Sequence, residues 1–115
     1  MTSAEERGTL IVTGASRGIG AAIARLAGER GYAVAVNFST GEREANSIVE
    51  QIISAGGRAH AIQADVSREE DIVRLFATAE NALGPIKALV NNAAVTGGFS
   101  RVESVTAKAL AHVMA

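Results

Sequence analysis

The 115-residue chain has no cysteine and no tryptophan. Without cysteine there can be no disulfide, no thiolate nucleophile and no thiolate metal ligand. Aromatic residues make up only 3% of the chain, so a core has to be built from Ala, Val, Ile and Leu. Such side chains suit helices packed closely on a parallel sheet. Neither sign of charge dominates: 11 Lys and Arg stand against 12 Asp and Glu. No basic stripe is present to hold a phosphate backbone, so nucleic acid is not an expected partner. No apolar run approaches the roughly 20 residues needed to span a bilayer, so no membrane role is expected. The two histidines, His60 and His112, lack metal-motif spacing. The polar, acidic start from Met1 to Arg7 is neither a signal peptide nor a transit peptide, and a soluble cytoplasmic protein is the default expectation.

Apolar residues make up 48% of the chain and charged residues 20%, the balance of one globular domain with one core. Strand-like and helix-like segments alternate, as in a parallel α/β sheet. Short apolar runs predict strands at Thr9–Val12, Tyr32–Val36, Ala59–Gln63 and Ile86–Val90. Periodicity predicts a helix from Gly18 to Arg30, with Ile19, Ile23, Leu26 and Ala27 inward and Gly31 as its stop. A second helix is expected from Glu42 to Ala55, with Ala45, Ile48, Val49 and Ile52 inward. A third is expected to start at Ser67, where Ser67-Arg68-Glu69-Glu70 reads as a capping box, with Ile72, Leu75, Phe76, Ala79 and Leu83 buried before Gly84-Pro85 ends it. A fourth is expected near Thr106. Right-handed crossovers then give a Rossmann-type, doubly wound parallel sheet of strand order 3-2-1-4, of which the chain holds the first half. Ligands of such sheets bind beyond the carboxyl ends of the strands, at the switch point between strands 1 and 4.

One string carries the chemistry. Thr13-Gly14-Ala15-Ser16-Arg17-Gly18-Ile19-Gly20 follows the first strand and opens the first helix. Gly14 allows a tight turn, Gly18 lets backbone approach a pyrophosphate at the helix N-terminus, and Gly20 permits close helix–strand packing. No Gly-Lys-Ser/Thr follows, so a P-loop is disfavoured.

With three residues between its first two glycines, the chain from Leu10 to Ala115 resembles the N-terminal half of a short-chain dehydrogenase/reductase. Asp65-Val66, after strand 3, is similar to the family's adenine-contacting pair. Asn91-Asn92-Ala93-Ala94, after strand 4, is similar to its Asn-Asn-Ala-Gly motif, with Ala94 in place of the usual glycine. Two readings are open for Asp65, a cofactor contact or the lead into a capped helix. Asn91 is read as largely structural.

The resemblance implies hydride transfer between a nicotinamide dinucleotide and a small carbonyl or alcohol substrate. The nearest flavours are 3-oxoacyl-carrier-protein reductases and glucose-dehydrogenase-like enzymes. The cofactor residues so implied are Gly14, Ser16, Arg17, Gly18, Ile19 and Gly20 in the turn, then Asn37, Phe38 and Ser39 at the end of strand 2. Asp65, Val66, Asn92, Ala93 and Ala94 complete the set.

NADP is expected over NAD. No acid stands among Asn37-Phe38-Ser39-Thr40 to bond a ribose 2′-hydroxyl. Asn37 and Ser39 can donate to a 2′-phosphate, and the Arg17 guanidinium suits one, while Glu42 nearby weakens the local positive potential.

No catalytic residue is assigned. The family's catalytic Asn would fall two positions past Ala115, its Ser, Tyr and Lys lie further on, and Tyr32 is not followed by Lys four residues later. Residues 1–115 are accordingly expected to be the N-terminal portion of a longer NAD(P)-binding enzyme domain, a homo-oligomer in its complete form. The competing expectation is a nucleotide-binding or interaction module without catalysis. His60 and His112 are read as ordinary strand and helix residues, and Glu42, Arg43 and Glu44 as a solvated first helical turn.

Overall fold

The computed structural model describes residues 7–92. The fourth helix expected near Thr106, together with Ala93 and Ala94, lies outside them. The order is β1 (Thr9–Val12), α1 (Gly18–Glu29), β2 (Ala33–Phe38), α2 (Glu42–Ser54), β3 (Arg58–Gln63), α3 (Glu69–Leu83) and β4 (Ile86–Val90). The four strands form one parallel sheet in the order β3-β2-β1-β4, as the sequence predicts.

The central strands β1 and β2 are buried on both sides because both faces of the sheet are covered, whereas the edge strands β3 and β4 expose His60, Gln63 and Lys87. Alternate residues point to opposite faces. Leu10, Val12, Val34 and Val36 join Ala21, Ala24 and Ala27 of α1 and Ala45, Ile48 and Ile52 of α2. Ile11, Ala33 and Ala35 join Ile72, Leu75, Phe76, Ala79 and Leu83 of α3. Large and small residues are complementary across each layer. Branched strand residues meet alanines of α1, whereas small Ala33 and Ala35 leave room for Leu75 and Phe76. Those two side chains are fully buried.

This complementarity corrects the expected inward face of α1 at Ile19 and Leu26, while Ala27 is buried as expected. Its buried residues are Gly20, Ala21, Ala24 and Ala27. Ile19 is 73% exposed and Leu26 48% exposed, while Ile23 is partly buried. A helix lying close on branched strand residues needs small side chains beneath it, and a search for large apolar residues selects the opposite flank. The inward faces of α2 and α3 are as expected, except that Val49 is only half-buried.

The start of α3 also departs from expectation. Its N-cap is Arg68, which makes no side-chain cap bond. The Ser67 hydroxyl instead donates to Asp65 Oδ1 at 2.6 Å, so no capping box forms. β2 runs two residues further than the apolar pattern suggests, through Asn37 and Phe38. That extension sets the geometry of the site.

Candidate functional site

Four segments meet at the carboxyl ends of the parallel strands: residues 13–18 after β1, 37–40 at the end of β2, 64–67 after β3 and 91–92 after β4. The glycine turn is fixed on both sides. The Gly14 N–H donates to Asn37 Oδ1 at 3.1 Å, and the Ala15 N–H donates to the Asn37 carbonyl at 2.7 Å. From the β4 side, Asn92 Nδ2 donates to the Gly14 carbonyl at 3.0 Å. The Thr13 N–H reaches the Val90 carbonyl at 3.0 Å, and the Thr13 hydroxyl reaches Asn91 Oδ1 at 3.1 Å. Asn91 therefore braces the strand end.

Gly14 has φ +59° and Gly18 φ +63°, in the left-handed region that side chains disfavour. A Cβ on Gly18 would meet nothing within 4 Å, so the backbone there faces open space. Gly20 is the opposite case. A Cβ there would collide with the Gly14 carbonyl and the Asn92 amide and lie 3.1 Å from Ala15 Cα. Gly20 is what allows α1 to begin against the turn.

Ile19 stands exposed beside Gly18. Arg17, in extended conformation, is the N-cap of α1 and gives no side-chain cap; the first turn of α1 holds no acid. The first turns of α2 and α3 hold Glu42 and Glu44, and Glu69, Glu70 and Asp71. The first N–H groups of a helix have no intrahelical acceptor, and together with the helix dipole they favour an anion. Among the described residues, α1 is the one helix whose own first turn holds no carboxylate.

The β2 end separates its residues. Asn37 is buried, at 1% exposure, and its side chain turns inward. Nδ2 donates to the carbonyls of Ile62 and Ala64, each at 3.2 Å, so both amide hydrogens are spent within the protein. The expectation that Asn37 donates to a 2′-phosphate is at odds with this geometry. Phe38 is buried, whereas Ser39 and Thr40 are exposed. Ser16 Oγ lies 3.4 Å from the Thr40 carbonyl. Ser16 Oγ, Arg17 Nη2 and Glu44 Oε1 each lie 3.2 Å from the point where a Cβ on Gly41 would sit. Arg17 is therefore brought beside the start of α2, with Glu44 rather than Glu42 as the close acid.

Asp65 Oδ1 accepts both the Ser67 N–H, at 3.0 Å, and the Ser67 hydroxyl. These two bonds hold its carboxyl below the ordinary carboxylate range. The Asp65 N–H donates to Asp71 Oδ2 at 2.8 Å, a contact the sequence reading missed. Its signal was an acid in the first turn of α3, placed to reach back over the chain. Val66 packs partly against the α3 layer. His60 is exposed on β3, away from these strand ends.

A glycine turn after β1, at the switch point of a 3-2-1-4 sheet, agrees with comparison to known proteins. The family profile for short chain dehydrogenase matches residues 8–115. The chain belongs to the short-chain dehydrogenase family. It is 40% identical over 104 residues to the uncharacterized oxidoreductase YgfF of Escherichia coli K12, an alignment covering 90% of this chain and 42% of YgfF. It is 41% identical over 86 residues to the 3-oxoacyl-[acyl-carrier-protein] reductase FabG of Staphylococcus epidermidis, covering 75% of this chain and 35% of FabG. Among solved structures, a metagenomic short-chain oxidoreductase in complex with NADP superposes with TM-score 0.80 at 29% identity, over 98% of this chain and 57% of that one. This short-chain dehydrogenase chain thus spans about half the length, or less, of these relatives. No helix among its described residues is long and apolar enough to cross a membrane.

Proposed function

We propose that these residues form the dinucleotide-binding, N-terminal portion of an oxidoreductase that uses NADP(H) on a small carbonyl or alcohol substrate. The observation that carries this reading is the start of α1, where open backbone at Gly18 meets a helix end with no side-chain cap and no acid. A pyrophosphate fits such a place: it needs N–H donors, close backbone approach and the absence of competing carboxylates. Gly14, Gly18, Ile19 and Gly20 would form its bed. Asp65 and Val66 would border the adenine, and Asn92, Ala93 and Ala94 would follow the cofactor toward the reacting end. Hydride exchange with a carbonyl or alcohol carbon is the chemistry the bound group supplies. This chain's own residues bind and orient.

The preference for NADP(H) rests on Arg17, Ser16 and Ser39, and not on the Asn37 amide. Ser39 and Thr40 are exposed, no acid lies among residues 37–40, and the Arg17 guanidinium stands beside Ser16. A charge-assisted bond from arginine to phosphate is worth about 1.5–3 kcal/mol. Paired titration of the full-length protein with NADPH and NADH tests this. NADPH should bind more tightly, and Arg17→Ala should weaken NADPH by at least roughly 10-fold with little change for NADH. Tighter binding of NADH by the unmodified protein would overturn the preference. Failure to bind either dinucleotide would overturn the function.

A further inference from the structure

Asn37 bonds to two points of the strand-end backbone, each of which is also held by a second side chain. The first is at Gly14, whose N–H goes to Asn37 Oδ1 while its carbonyl takes Asn92 Nδ2. The second is the peptide unit that joins Ala64 to Asp65, with its carbonyl on Asn37 Nδ2 and its N–H on Asp71 Oδ2. The remaining Asn37 amide hydrogen goes to the Ile62 carbonyl of β3. One buried carboxamide therefore connects the glycine turn after β1 with the turn after β3. A backbone contact reinforces it: the Ala64 N–H donates to the Phe38 carbonyl at 3.0 Å.

We propose that Asn37 is a positioning residue that couples the phosphate-binding turn at Gly14 to the adenine-side turn at Asp65, so that the pyrophosphate and adenine subsites of a dinucleotide site are set by one side chain. Its sequence position suggests a direct ligand, but its geometry makes it a strut. The oxygen and both amide hydrogens are satisfied inside the protein, and a buried donor or acceptor that loses its partner carries the full desolvation cost. A residue here must offer an acceptor toward Gly14 and two donors toward Ile62 and Ala64. Aspartate matches the shape and the acceptor but sets a carboxylate against two carbonyls. Serine is too short to reach all three.

This inference rests on the dinucleotide reading, and its test separates the two. In the full-length protein, Asn37→Ser should weaken NADPH binding by roughly 10-fold or more, from lost hydrogen bonds at a buried group. Amide hydrogen exchange at Gly14 and Asp65 should accelerate together while the core amides of α3, such as Phe76, stay protected. A lowered Tm with uniformly faster exchange and an unchanged NADPH Kd would reduce Asn37 to a general stabilising residue and overturn the proposal. So would acceleration at only one of the two turns. The unmodified protein supplies a measurement that does not depend on a variant folding. Inorganic pyrophosphate bound at the glycine turn should slow exchange at Asp65, and binding without that protection would overturn the coupling. If the unmodified protein binds neither NADPH nor NADH, the functional reading fails, while the exchange behaviour of Asn37→Ser still decides the coupling.

Discussion

Replacing Gly20 by alanine would drive a methyl group into the Gly14 carbonyl and the Asn92 amide, with Ala15 Cα 3.1 Å away. Two of these three neighbours are backbone and cannot swing aside. Overpacking of this kind costs about 1–3 kcal/mol. If relief comes by displacing Asn92, the Asn92–Gly14 hydrogen bond goes as well, adding about 0.5–1.5 kcal/mol. The total, about 1.5–4.5 kcal/mol, corresponds to a fall in Tm of roughly 3–18 °C for a protein about twice this length. Gly18→Ala is the matched control. Its new methyl meets nothing within 4 Å, so the cost is the strain of φ +63°, about 1–2 kcal/mol. The two variants should therefore separate in paired assays, thermal unfolding without ligand and NADPH titration of the folded protein. Gly20→Ala should show the larger loss of stability. Gly18→Ala should lose NADPH affinity out of proportion to its stability, because its methyl stands where a pyrophosphate would approach. Gly20→Ala melting within about 2 °C of the unmodified protein would refute the packing argument, since a shift that small leaves no room for even the lower overpacking cost.

Phe76→Ala should remove about 3–5 kcal/mol of stability, measured by urea unfolding, because Phe76 is fully buried over the small Ala33 and Ala35 and alanine would leave a cavity. Asp65 has its folded pKa held down by Ser67, so its stabilising contribution is complete above the ordinary carboxylate pKa and is lost as pH falls through the lower folded value. Asp65→Asn should accordingly flatten the acid limb of a stability-against-pH curve below about pH 4, and an unchanged limb would exclude Asp65 as its source.

Much of the sheet was legible because its signals are local. Continuous apolar runs mark strands covered on both faces, and the glycine spacing from 14 to 20 sits between a strand and a helix. What escaped was set by long-range contact. Nothing local distinguishes the alanine flank of α1 from the Ile19–Leu26 flank; the choice is made by Val34 and Val36 beneath it. Asn37 reads as a polar residue at the mouth of the site until β2 is seen to extend through Phe38, where Ile62 and Ala64 present carbonyls that only an inward amide can satisfy. Ser67 has the pattern of a cap, yet Asp65 lies two residues before it and takes its hydroxyl. The Arg17–Glu44 proximity likewise depends on how α1 and α2 pack, and their separation in the chain hides it.

The position of β1 between β2 and β4 has a consequence for the chain as it is made. Gly14 and its neighbours are synthesised before the rest of the sheet, but the amide that holds the Gly14 carbonyl belongs to Asn92, 78 residues later. Thr9 and Thr13 wait on the carbonyls of Gly84, Pro85 and Val90 over a similar distance. At ordinary elongation rates that interval lasts roughly 4–15 s. During it the glycine turn can be braced from the β2 side through Asn37 but stays open to water on the other. The carboxyl end of the sheet is thus completed by almost the last of the described residues to be synthesised, although its most recognisable motif is among the first of them.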